Sequence, residues 1–332
     1  MKQRAALLLA LVAALLVRDA IAAPVTALAF SSNGEVLAAA SARAVTLHLP
    51  LTGEKLNSLS CENERAVALA FQPRGALLAV GTGMPGEKGS VRFLDWRQQK
   101  WLAAIETNSD VVTCVAFSPN GKLLAVASAD YSAAVYEIAD DNARLNKVFG
   151  LSGHSGAVQA IAFSPDAQTL VTASVDRSLK VWSAADGRLI RSCGQHADAV
   201  QALAFRPVSS HHSDAPQICA SSGDDRTVRV WQPTIGRMVR IVRHHEGPVL
   251  ALAFTPDGRG LFSAGQEGIV RRIDANSDAV LHECRASSDW IYSLAISPDG
   301  LTLATGDWAG ETRCWKVGEH ELTPIKAPLD RD

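Results

Sequence analysis

Several groups of residues have the types and spacing to do chemistry. His154, Ser174 and Asp176 are the trio a hydrolase would use: a base, a hydroxyl nucleophile and a carboxylate to hold the base. His196, Ser222 and Asp225 offer nearly the same trio again, with the hydroxyl one residue out of register. A catalytic nucleophile is needed once, so recurrence marks these residues as local fasteners rather than active sites. Metal chemistry has two weak candidates, His211-His212-Ser213-Asp214 in the insertion Pro207–Gln217, and His244-His245. Adjacent imidazoles diverge and rarely complete a tetrahedron, so no metal and no cofactor are expected. The run from Gly81 to Gly89 is glycine-rich but joins two apolar segments without opening a helix, and it lacks the Lys-Ser/Thr ending of a phosphate loop. No HExxH or GxSxG occurs. Arg226, Arg229, Arg237, Arg240 and Arg243 form a basic run, which reads as solvated surface, with a contribution to an anionic partner site as the alternative.

The elements that position these residues follow from a repeat. The phrases VTALAF, AVALAF, VTCVAF, VQAIAF, VQALAF, VLALAF and IYSLAI begin at Val25, Ala66, Val112, Val158, Val200, Val249 and Ile291. Their last residues are spaced 41, 46, 46, 42, 49 and 42 apart. Most are followed by a turn such as Ser118-Pro119-Asn120-Gly121, in which Pro fixes φ, Asn bonds its own backbone and Gly accepts positive φ. A second and a third short apolar segment come next, then a weaker fourth. Helices of three turns do not fit between these turns, so the chain is all-β. A single four-stranded sheet cannot cover both its faces, whereas seven arranged radially cover one another. The expected architecture is a seven-bladed β-propeller with four-stranded antiparallel blades, spanning residues 24–328. The last blade takes its outer strand from Glu321–Lys326.

The repeats resemble the WD40 family. The resemblance is sharpest in the fourth unit, where His154, Ser174, Asp176 and Trp182 match the family's hydrogen-bonded His, Ser/Thr, Asp and Trp columns. The fifth unit supplies His196, Asp225 and Trp231, and the sixth supplies His245 with Glu267 and Ile273. The third has Asn108, Asp130 and Tyr136; the seventh has Ser287, Ala309 and Trp315; the first two depart most, with Ala42/His48 and Lys88/Leu94 in the Asp/Trp columns. The resemblance implies that these residues are structural and that partners contact the face on which the innermost strands begin.

On that face, just before or at the start of the innermost strand and at the end of the second, the last unit carries Trp290, Tyr292 and Trp308, where most units carry smaller or polar residues. Clustered amphipathic aromatics on a rigid rim build protein hot spots, so these three are the candidate partner-binding residues. The competing role is sealing the last blade against the first. With 332 residues, 47% hydrophobic, 20% charged and a net charge of −2, the chain lacks the global basic footprint of a dedicated nucleic-acid binder. The expected function is a non-enzymatic protein- or peptide-binding scaffold. The rival is an exported propeller enzyme or small-ligand binder using the central channel, although the inner strands offer only Gln159 and Gln201 as recurring polar residues.

Residues 1–22 read as an export signal. Lys2 and Arg4 precede the apolar run Ala5–Val17, and Ala20-Ile21-Ala22 provides a small-residue cleavage site before Ala23. Those 13 residues cover about 20 Å as a helix, less than a membrane requires. Export to a periplasm or the cell exterior is expected, with a cytoplasmic chain or an uncleaved anchor as alternatives. The six cysteines are far apart in sequence, and most are expected as free thiols.

Overall fold

The computed structural model describes residues 23–139, 144–208, 216–319 and 321–325. These form seven four-stranded antiparallel sheets, each with its strands in chain order, joined into a closed ring. We label the strands of a blade a to d from the axis outward. Blade four is Val158–Phe163, Thr169–Ser174, Leu179–Ser183 and Leu189–Cys193. The only helical turn among the described residues is the 3-10 turn Pro233–Ile235, between strands c and d of blade five.

The core consists of the layers between blades rather than one central mass. Seven apolar clusters correspond to the seven seams. Because both faces of each sheet are covered, strand b is buried almost throughout: Thr169–Ser174 and Gly260–Gly265 are buried at every residue. The seam between blades seven and one joins Val25, Leu28, Leu37 and Ala39 to Ala295, Ala304 and Cys314, and the Ser293 hydroxyl donates to the Val25 carbonyl at 3.0 Å. The last blade takes its outer strand, Leu322–Pro324, from the C-terminal stretch, paired to Thr312–Val317. Among the described residues the ring therefore closes by face packing, without an exchanged strand.

Each a–b pair contains a one-residue bulge near the start of strand a. The unpaired residues are Thr26, Val67, Thr113, Gln159, Gln201, Leu250 and Tyr292. A bulge redirects the side chain it frees. In blade one the freed Thr26 hydroxyl donates to the Ala66 carbonyl of blade two at 2.9 Å, and Thr113 does the same to Val158 across the next seam but one.

The glycine-rich stretch is a long hairpin of strands Leu77–Met84 and Lys88–Asp95. Gly89 is required by close approach: a Cβ there would lie 2.0 Å from the Asp110 carbonyl oxygen. All six cysteines are free thiols, and burial pushes Cys314 up to about 12. The proposed signal segment, His211, His212 and Asp214 lie outside the described residues.

Candidate functional site

The fastening network is clearest in blade four. His154 Nδ1 lies 2.8 Å from Asp176 Oδ2, and His154 Nε2 lies 2.7 Å from Thr172 Oγ1. Trp182 Nε1 donates to the same Thr172 oxygen at 2.9 Å. With the imidazole proton on Nδ1 facing the carboxylate, Nε2 accepts from the Thr172 hydroxyl, which in turn accepts from the indole. The chain of bonds thus requires a neutral imidazole, and burial lowers the His154 pKa accordingly. Burial alone would raise Asp176, but hydrogen bonds from the Ser178 hydroxyl, the Ser155 N–H and His154 outweigh it and hold the carboxyl down at about 2.

The hydroxyl in this network is Thr172 and not Ser174. Ser174 donates instead to the Gly156 carbonyl at 3.0 Å and accepts from the Asp176 N–H at 3.1 Å, so it braces the turn. Blade five makes the same correction: Ser221, one residue before Ser222, lies 2.7 Å from His196 Nε2 and accepts from Trp231 Nε1 at 2.8 Å. His196 Nδ1 meets Asp225 at 2.8 Å. None of these hydroxyls is free as a nucleophile, because each is closed into a buried chain of bonds.

Other blades reach the same end with different residues. In blade six, His245 bonds Glu267 and Ser263, and burial beside the Arg271 guanidinium pushes the imidazole down to about 4. In blade seven the acid is Asp307, at the end of strand b, rather than the expected column at Ala309; it accepts from Ser287 at 2.6 Å, while Trp315 donates to Thr305 at 3.1 Å. In blade two, Lys88 stands in the acid column and pairs with Glu64 at 2.7 Å, reversing the charges.

One column escaped the sequence reading. Arg92, Arg229, Arg271 and Arg313 occupy the strand-c position opposite Val80, Ser221, Ser263 and Thr305. Arg92 and Arg313 donate to the Cys61 and Ala286 carbonyls at 2.6 and 2.9 Å, and Arg229 bonds Gln195. The basic run therefore separates: Arg229 is buried and paired with Asp225, Arg240 holds the Ala275 carbonyl, and Arg226 reaches the Glu246 carbonyl. Its spacing also has a readable signal, since each of these arginines precedes the Trp-column residue by two.

At the rim, a recurring backbone bond joins the residue after strand b to the one before strand a. It runs from Ala129 to Val111, Val175 to Ala157, Asp224 to Ala199, Gln266 to Pro248, and Trp308 to Trp290. Blade seven thus holds its two indoles on a fixed frame, with a Trp308 N–H to Trp290 carbonyl distance of 2.8 Å. The bulge at Tyr292 brings the third ring in. Ring centroids lie 6.0 Å apart for Trp290–Trp308, 5.4 Å for Tyr292–Trp308 and 6.3 Å for Trp290–Tyr292, tilted by 50°, 31° and 34°. Trp290 and Trp308 remain 40% and 45% exposed, although the phenol of Tyr292 is buried enough, and close enough to Asp289, to raise its pKa.

A cavity of about 560 Å³ opens beside Trp308, lined also by Ala23, Pro24, Thr26, Ala42, Arg43, Arg65, Ala66 and Val67. No group of three or more His, Cys, Asp or Glu residues suited to a metal occurs among the described residues.

A closed ring of seven four-stranded blades, two of them fastened by complete His–Ser/Thr–Asp–Trp chains, defines the class: a repeat propeller whose recurring polar residues are structural. The model for the family described as WD domain, G-beta repeat matches residues 99–137, 145–183, 187–232, 236–274 and 279–316. The chain belongs to the WD40 repeat family, whose propellers are typically protein-interaction scaffolds and generally not enzymes. It is 41% identical over 49 residues to apoptotic protease-activating factor 1 of Rattus norvegicus and 42% over 52 residues to that of Homo sapiens. Those matches cover 15% and 16% of this chain, and only 4% of the length of either relative. Among solved structures, a chain in "Crystal Structure of Mitotic Checkpoint Complex" superposes with a TM-score of 0.77 at 21% identity, covering 89% of this chain and 87% of the other. That likeness is one of fold.

Proposed function

We propose that this protein is a non-enzymatic scaffold that captures a protein or peptide partner on its strand-a face, with Trp290, Tyr292 and Trp308 as the principal contact. The observation that carries this reading is the aromatic triad: two half-exposed indoles and a tyrosine, fixed by backbone bonds on a rigid rim. Burying such rings yields large apolar gains with few rotamers to freeze. Family membership supports the scaffold role, and the fastening of the would-be catalytic trios into buried bonds argues against hydrolysis. We further propose that residues 1–22 direct export and are removed, which leaves Ala23 at the lip of the cavity.

The test is affinity capture from the native compartment with the wild-type chain and with the Trp290→Ala/Trp308→Ala double variant. The expected result is a partner retained by the wild type alone, with circular dichroism and melting the same for both. A variant that keeps its partner refutes the assignment. A large fall in melting temperature reassigns the indoles to sealing blade seven against blade one.

A further inference from the structure

The cavity beside Trp308 opens over blade one, whose turn between strands b and c is short. That turn has two residues, Ala42 and Arg43, between Ser41 and Ala44. In register, this connection is one residue shorter than in blades four and seven: four residues separate the paired Ala40 and Val45, against five between Ala173 and Leu179 and between Gly306 and Thr312. It also carries no acid to tie down a preceding loop, as Asp176 ties His154 and the Ser155 N–H in blade four. The depression runs from Trp308 of blade seven across blade one to Arg65, Ala66 and Val67 of blade two. Its volume falls in the roughly 300–1,000 Å³ range of ligand clefts.

The walls differ in character. The floor is small and apolar, and the Thr26 hydroxyl is already committed to the Ala66 and Ala40 carbonyls. On the blade one and two side stand the exposed Arg43 and Arg65, neither ion-paired among the described residues. The acids nearest Arg65 in sequence are engaged with other cations: Glu64 with Lys88 at 2.7 Å and Glu62 with Arg92 at 3.2 Å. At the opposite end, Asp289 accepts from the Trp290 N–H at 2.8 Å, and Asp307 is bound by Ser287 and Arg313. The cavity is therefore aromatic at one end and positive at the other, with no acid among its lining residues.

Resting on the partner-binding reading above, we propose that this depression docks a short extended segment of a partner protein in which an acidic side chain neighbours a large apolar one. The apolar side chain lies against Trp308, and the carboxylate lies toward Arg43 and Arg65, away from Asp289. A cationic ligand is disfavoured twice: the two arginines repel it, and rings with centroids only 5.4–6.3 Å apart pack against one another at a tilt instead of walling an empty cage.

The test titrates the full chain, by tryptophan fluorescence, with acetylated and amidated hexapeptides of sequence Ser-Gly-Asp-Phe-Gly-Ser. Three companions replace Asp by Asn, Asp by Lys, or Phe by Ala. The Asp-Phe peptide should bind best, the Asn version roughly tenfold more weakly, and the other two weakest, as expected for two partly exposed charge contacts. Binding of the Asp-Phe peptide should weaken with added NaCl. Arg43→Gln/Arg65→Gln should erase both the salt dependence and the Asp-over-Asn preference while leaving melting unchanged; Trp308→Ala should abolish binding of both peptides. Equal affinity for Asp and Asn peptides, preference for Lys, or no binding by any of the four overturns the acidic-segment proposal. Partner capture that depends on Trp290 and Trp308 would still uphold the scaffold reading, so the two can fail separately.

Discussion

Replacing Thr172 by Val tests whether the buried network is the one the geometry describes. Valine keeps the shape and removes only the hydroxyl. It leaves the Trp182 indole N–H, in a side chain 2% exposed, and the lone pair on His154 Nε2 without their partner. Each buried polar group left unsatisfied costs about 1–3 kcal/mol, so the pair should cost about 2–6 kcal/mol. For a domain of this size that corresponds to a fall of roughly 3–9 °C in melting midpoint. Ser174→Ala removes a single donated bond to Gly156 and a brace on the Asp176 N–H, and should cost only about 1 kcal/mol. The assay is urea denaturation of both variants, followed by circular dichroism, with Trp182→Phe as a third background. Once the indole N–H is gone, Thr172→Val should cost about half as much, because one of its two stranded partners no longer exists. A loss under about 0.5 kcal/mol for Thr172→Val, or a larger loss for Ser174→Ala, refutes the assignment of Thr172 as the bridging hydroxyl.

Three further outcomes are expected. His245 is held at about 4 against an ordinary 6.5, so the folded state binds its proton less tightly than the unfolded one; stability should be intact above about pH 6.5 and lose about 3 kcal/mol as pH falls toward 4, with a flatter profile in His245→Gln. Gly306→Ala would place a Cβ 2.4 Å from Val25 Cγ1 across the closing seam and 2.5 Å from Ser293 Oγ on its own blade, and should cost about 1–3 kcal/mol in a urea titration; Gly194→Ala, with open space around it, should cost far less. Edman sequencing of protein from the native compartment should begin at Ala23, and a start at Met1 would reject removal of residues 1–22.

The fold was legible because each blade announces its own boundaries. Phrases ending in Phe or Ile, and a bulky residue at the end of strand c, recur every 41–49 residues with Pro-Asx-Gly turns in several units, and Gly121, Gly258 and Gly300 do adopt positive φ. The bulges were not legible, because the inner strands are small and apolar on both sides of the unpaired residue. The network hydroxyl was ambiguous for a different reason. Thr172 and Ser174 stand two apart on one strand and share a face, so alternation cannot say which meets the imidazole. Only the bond distances separate them. In blade seven the acid slid from the turn into strand b as Asp307, where spacing alone reads it as a strand end.

Blade one connects the weak sequence signal to the candidate site. A His–Ser/Thr–Asp–Trp chain fastens the loop before strand a to the b–c turn, and in doing so covers the rim above its blade. Blade one has His48 in the aromatic column and Ala42 in the acid column, and its b–c turn is two residues long. The same departures that make its resemblance to the family faint therefore stand where the cavity opens. The neighbours supply what then faces the gap: Trp308 from blade seven and Arg65 from blade two, with Arg43 from the short turn itself. Lengthening that turn by one residue, with an Asp at its second position, would fill the depression while leaving the aromatic triad unchanged. Loss of peptide binding in such a variant, with Trp290 and Trp308 intact and melting unchanged or raised, would tie recognition to the short turn; undiminished binding would detach the triad from the cavity and move the contact to the indoles alone.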